Sequence, residues 1–224
     1  MKTEKTNAIV LRRTNYGEAD RIIQVLTPVG KRSLIAKGSR KEKSRLAGGI
    51  ELFATCAIVI MKGKGEVDTL VSSRLSHFYR HIVEDFDRMQ FAYQAIKLVS
   101  QASETTDGKD WYEVMVETLA GLDAKSLDLR LVQMWFLARY AKLLGYELNL
   151  WNDSSGLKIK EEETYNYDVS DKSFIKNQNG NIDSRHIKLL RLVATKPLKV
   201  IAQVGGIDDI LDECLMIVRQ HVSI

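Results

Sequence analysis

Cysteine is scarce in this chain: Cys56 and Cys214 are the only two among 224 residues. Two cysteines cannot build a disulfide framework, and alone they cannot make a cysteine-based zinc site. Cys56 falls in an apolar strand pattern and Cys214 in an amphipathic helical one, so both read as buried thiols. Long apolar runs are lacking too. The longest, "FATCAIVIM" from Phe53 to Met61, is far too short to span a bilayer, so no membrane partner is expected. The opening "MKTEKTNAIVLRR" carries no signal-peptide hydrophobic region or cleavage site, and the expected location is the cytoplasm.

Nucleotide-binding glycine patterns are missing as well. "VGKRS" superficially resembles a phosphate-binding loop, but Val25 stands where that motif needs Gly and Arg32 where it needs Ser or Thr. The stretch also lies between two strand patterns rather than before a helix. There is no Gly-x-Gly-x-x-Gly and no Gly-x-Ser-x-Gly, which argues against an ATP site and a serine nucleophile. Carboxylates are numerous, yet none is paired at a catalytic spacing. His77 and His81 are four apart on a predicted helix with Glu84 and Asp85 following, but the zinc-peptidase pattern needs Glu at 78 and finds Phe78. Polar residues on a domain-boundary helix are the simpler reading. No catalytic residue, metal or cofactor is expected.

What the chain does have is positive charge concentrated at one end. Residues 1–80 hold sixteen Lys and Arg against seven Asp and Glu, a net of +9, whereas the remainder carries −5 within an overall +4. The stretch "AKGSRKEKSRLAGG" alone, residues 36–49, carries five cationic side chains and one acidic one. Self-repulsion makes such a segment costly to fold compactly, so it reads either as a solvated loop or as a surface for an anion.

The surrounding pattern favours a small barrel. "AIVLRR", "RIIQVLT", "RSLIAK", "LFATCAIVIM" and "VDTLVSS" read as five short strands within about 70 residues. "PVGK" supplies a tight turn between the second and third, and "TNYGEAD" a loop between the first and second. The longest connection joins the third and fourth, as in an OB-type barrel, and "SRKEKSRLA" is a candidate for the short helix often found there. After Arg74 the period changes to a helical one: Phe78, Ile82, Phe86, Met89, Tyr93, Ile96 and Val99. Further helices are predicted over about 111–122, 127–144, 183–194, 197–204 and 207–221. In the last of these Ile207, Ile210, Leu211, Cys214, Leu215 and Val218 form one stripe, which reads as core. The expected fold is therefore α+β. Residues 1–76 form an OB-fold nucleic-acid-binding domain. Residues 77–224 form a helical domain with an irregular, metal-free insertion at about 151–181.

The candidate binding residues are the cations that crowd the loops and strand ends of the barrel region. They are Arg12, Arg13, Arg21, Lys31, Arg32, Lys37, Arg40, Lys41, Lys43, Arg45, Lys62 and Lys64, with Tyr16 as a possible stacking partner for a base. Most charge runs are solvated faces, and a protein-binding adaptor with an idle basic barrel stays open as the alternative. Against it, three separate connections are basic, and a closed barrel brings some of them to one side.

The segments "NYGEADRII", "LTPVGKRSLIAKGSRK" and "EVDTLVSSRL", followed by helices and "LLGYELNL", resemble in order the RecO family of bacterial recombination proteins. The likeness runs over most of the chain and is strongest over residues 7–75. It implies a non-enzymatic DNA-repair protein that binds single- and double-stranded DNA and anneals complementary strands. It also implies work with RecR to load RecA onto DNA coated by single-strand-binding protein, whose tail meets the helical domain, and an association with the nucleoid. Many members carry a four-cysteine zinc module after the stretch matching "LGYELNL". Its first pair would fall near Asn152 and Ser155, where this chain has no cysteine, so residues 151–181 are expected to form a metal-free loop or small hairpin.

Overall fold

The computed structural model describes residues 3–63, 67–103 and 108–223. Five strands are formed: β1 (Thr3–Tyr16), β2 (Asp20–Thr27), β3 (Gly30–Ala36), β4 (Ala54–Met61) and β5 (Asp68–Phe78), with alternation of buried and less buried residues clearest in β4. They close into a barrel in the order β1-β2-β3-β5-β4, with β3 and β5 parallel and every other pair antiparallel. This is the OB-fold arrangement. The long β1 pairs with β4 through its first half and with β2 through its second, so one strand serves both sides of the barrel.

Inward-pointing Ala8, Val10, Ile23, Val25, Leu34, Ala36, Ile58, Ile60 and Leu70 fill the interior, and Ile50 from the connection before β4 joins them. Each large aliphatic buried in this way contributes about 1.5–3 kcal/mol. Their cross-strand neighbours on the outer face are not all exposed. Ile9 and Leu26 face each other on β1 and β2 and are wholly buried.

Three helices follow the barrel, α1 (Arg80–Glu84), α2 (Phe86–Ala102) and α3 (Gly108–Asp123), and α1 packs on the other two. Helix α2 packs on β1, and α3 packs on β2 and β3. Asp85 starts α2 by accepting the N–H groups of Asp87 and Arg88. Arg88, itself buried, donates to the carbonyls of Leu122 and Ala124 and so caps the end of α3. Barrel and helices together make one compact unit, Met1–Lys125, and Ser126–Ile224 makes a second. This division falls later in the chain than the composition-based boundary after residue 76.

Two local expectations need correction. The helical period does not begin at Arg74, because β5 continues to Phe78 and pairs His77 with Thr55 and Phe78 with Ala54 on β4. His77 is therefore a strand residue and only His81 is helical. The two rings share Asp123 as a neighbour, at 3.8 and 3.5 Å, instead of lining one helix face. Nor does "SRKEKSRLA" form an α-helix. It runs as successive turns to a short 3-10 turn at Ala47–Gly49, because like charges one turn apart oppose a helix there.

In the second unit, α4 (Leu129–Leu143) is buried over every residue from Leu131 to Leu137 and forms the centre. Strands β6 (Tyr165–Asp168) and β7 (Ser173–Lys176) form a hairpin within the segment read as irregular. They are followed by α5 (Ser184–Thr195), α6 (Leu198–Ile201) and α7 (Leu211–Val222). Asp128 and Asp183 cap α4 and α5. Most of the predicted stripe is core: Leu211, Cys214, Leu215 and Val218 of α7 are buried, with Ile210 just before them, whereas Ile207 lies ahead of the helix and is only half-buried. No helix among the described residues is long and apolar enough to cross a membrane.

The hairpin is fastened by a buried histidine. His221 Nδ1 accepts from the Tyr167 hydroxyl at 2.7 Å, and its Nε2–H donates to the Tyr146 carbonyl at 2.6 Å, an arrangement that uses the neutral ring. Burial pushes the imidazole below its usual 6.5; the Tyr146 carbonyl opposes this and the nearby Lys172 ammonium adds to it. The unfolded chain therefore takes up a proton that the folded one refuses, and stability falls as pH drops below about 6.5. In thermal melts from pH 7.5 down to 5, the wild type should lose more stability than His221→Gln. Equal losses would mean that His221 does not govern this acid sensitivity.

Candidate nucleic-acid interface

Strand direction sorts the candidate residues between the two ends of the barrel. The β1–β2 turn and the segment after β3 lie at one end, since Tyr16 pairs with Asp20 and Arg21 with Ala36. The β2–β3 and β4–β5 turns lie at the other. Arg12, Arg13, Tyr16, Arg21, Lys37, Arg40, Lys41, Lys43 and Arg45 all belong to the first end. Lys31, Arg32 and Lys62 belong to the second. Lys64 lies outside the described residues.

At the first end three chain segments meet: the end of β1, the start of β2 and the loop 37–46. Gly17 and Gly38 turn the chain there at φ of +56° and +64°, backbone that side chains disfavour. The loop is not free. Arg40 N–H donates to the Ala19 carbonyl at 2.9 Å, its guanidinium donates to the Gly17 carbonyl at 3.1 Å, and Leu46 packs on the barrel core. The loop therefore spans this end, fixed at both of its own ends, with Lys41, Lys43 and Arg45 exposed along it.

Few of these charges are neutralised internally. Among the described residues, Arg12, Lys37, Lys41, Lys43 and Arg45 have no carboxylate partner. Arg13 pairs with Glu51 at 2.8 Å, and Arg21 leans on the Asn15 side chain at 3.4 Å. Tyr16 is the last residue of β1 rather than part of a loop, and it is 53% exposed. Sequence reasoning missed Glu51 and Asp20, whose carboxylate accepts the Gly38 N–H at 2.6 Å. Both contacts join residues far apart in the chain, and no local pattern signals them.

The opposite end is differently built. Arg32 lies between Asp68 at 3.6 Å and Glu4 at 3.9 Å, so its charge is balanced. The Lys31 ammonium donates to the Ser100 carbonyl on α2 at 2.8 Å. Lys62 is exposed beside Gly63. The β2–β3 face, which OB-folds commonly offer to single strands, is partly occupied by α3.

Burial pushes the Cys56 thiol up to about 11 and the Cys214 thiol up to about 12, which keeps both protonated and unreactive at neutral pH. Among the described residues no group of three or more His, Cys, Asp or Glu side chains is placed to hold a metal ion.

A closed five-strand barrel with cations gathered at one end places the chain among OB-fold proteins. Comparison with known proteins narrows this. The family model described as "Recombination protein O N terminal" matches residues 1–79, and "Recombination protein O C terminal" matches residues 83–223. The DNA repair protein RecO of Roseiflexus sp. (strain RS-1) is 30% identical over 207 residues, covering 88% of this chain and 71% of that protein. That of Chlorobium phaeobacteroides (strain DSM 266 / SMG 266 / 2430) is 26% identical over 241 residues, 98% of this chain and 91% of that one. That of Desulfatibacillum aliphaticivorans is 32% identical over 149 residues, 65% of this chain and 58% of that protein. The chain belongs to the RecO family of DNA repair and recombination proteins.

Proposed function

We propose that this protein is a non-enzymatic recombination mediator in the cytoplasm, at the nucleoid. It binds single- and double-stranded DNA through the cationic end of its barrel and anneals complementary strands. With RecR it helps load RecA onto DNA coated by single-strand-binding protein, whose tail it meets through its helical part. The observation that carries the DNA reading is the convergence of β1, β2 and the loop 37–46 at one barrel end, with five cations there that have no carboxylate partner among the described residues. Phosphates release counterions when such charges neutralise them, so binding is expected to be largely independent of sequence and sensitive to salt. Holding two strands by their backbones without reading bases is what annealing requires.

The test mixes the protein with complementary oligonucleotides coated by single-strand-binding protein, intact or lacking its acidic tail. Annealing accelerated only with the intact tail supports the mediator reading, and no acceleration with either form counts against it. The second reading, a protein-binding adaptor, draws on Val71, Leu75 and Phe78 of β5 and on Val83 and Phe86 beyond it, all exposed apolar residues. Failure to bind labelled oligonucleotides even at low salt would favour that reading.

A further inference from the structure

The geometry points to Asp20 as the positioning residue of the cationic end: its carboxylate holds the loop 37–46 in register with the β1–β2 turn, so that the loop's cations face one phosphate backbone together. This rests on the DNA reading above.

Charge alone gives Asp20 the wrong sign for such a surface. A carboxylate among Arg21, Lys37 and Arg40 should repel phosphate, and removing it should tighten binding. The structure gives it a different task. Its Oδ1 accepts the Gly38 N–H at 2.6 Å, a short bond from backbone to side chain. Gly38 is the point where the chain leaves β3 in a left-handed conformation, and every cation from Arg40 to Arg45 follows it. Two residues on, the Arg40 N–H donates to the Ala19 carbonyl, so the loop is joined to the turn by two bonds accepted by the neighbours Ala19 and Asp20. Like charges along the loop repel one another, and a loop free to move would spread them apart. The bond at Gly38 resists that spread at its root. Fixing the loop before DNA arrives also removes an ordering cost from binding.

The test compares Asp20→Ala, which removes the acceptor, with Asp20→Asn, which removes the charge but keeps a side-chain carbonyl. Binding to labelled oligo(dT) is titrated at several salt concentrations, and amide exchange is followed at Gly38 and Arg40. Asp20→Ala should bind on the order of tenfold more weakly, with a salt slope shallower by about 1, because fewer cations engage at once. Its Gly38 amide should exchange faster. Asp20→Asn should bind as tightly as wild type or more tightly, with Gly38 still protected. Binding by Asp20→Ala equal to or tighter than wild type overturns the positioning role, whatever the exchange shows. If wild type itself fails to bind oligo(dT), the DNA reading falls and takes this role with it. Gly38 exchange then reports separately whether Asp20 holds the loop.

Discussion

Neutralising Arg40, Lys41, Lys43 and Arg45 together is expected to weaken binding to single-stranded DNA on the order of a hundred- to a thousand-fold near ~0.1 M salt. Each lost phosphate contact removes about 0.7 from the slope of log affinity against log salt, so wild type with about six contacts should show a slope near roughly −4 and the variant one near about −1. All four residues lie on a turn-rich segment, and among the described residues the side chains of Lys41, Lys43 and Arg45 have no carboxylate partner. Thermal stability should therefore change little. Arg40 is the exception within the set, because its guanidinium donates to the Gly17 carbonyl; a second variant leaving Arg40 intact separates charge from loop anchoring. An unchanged slope would remove this loop from the binding surface.

The largest effect on stability is expected at Arg88. This side chain is buried on α2 and donates to the Leu122 and Ala124 carbonyls at 2.9 and 3.3 Å, with the Asp85 carboxylate 3.6 Å from its Nε. Arg88→Met keeps most of the apolar stem but leaves the carbonyls at the end of α3 without that donor. Such a loss costs about 3 kcal/mol, or a fall in Tm of about 10 °C for a unit of this size. Urea unfolding followed by tryptophan fluorescence checks it, since Trp111 of α3 is fully buried in the same unit. A loss below about 1 kcal/mol would show that the α3 carbonyls find other donors.

The barrel was legible because short apolar runs are separated by turn residues, and because the long third connection is a feature of the OB topology. The helices with acidic caps were equally open to reading, since Asp128 and Asp183 stand where the periodic patterns begin. The end of β5 was not. From Val71 to Phe78 nearly every residue is exposed, so no alternation marks the strand, while Phe78 and Ile82 lie at a helical spacing. Only pairing with Thr55 and Ala54, more than twenty residues earlier, keeps it extended. The cations were legible as a group but not in their arrangement. Arg32 belongs to the same strand pattern as Lys37, yet strand direction sends them to opposite ends, and Glu4 and Asp68 balance only the first. The loop's shape depends on Gly17, Ala19 and Asp20, contacts that no local motif encodes.

The packing of α2 on β1 and of α3 on β2 and β3 also bears on how a strand is presented. With α3 on part of the β2–β3 face, bases have less of that sheet to lie against, and Tyr16 is the one aromatic among the candidates at the cationic end. A strand tethered there by its sugar–phosphate chain would keep most of its Watson–Crick edges turned outward, ready to meet a complement arriving from solution.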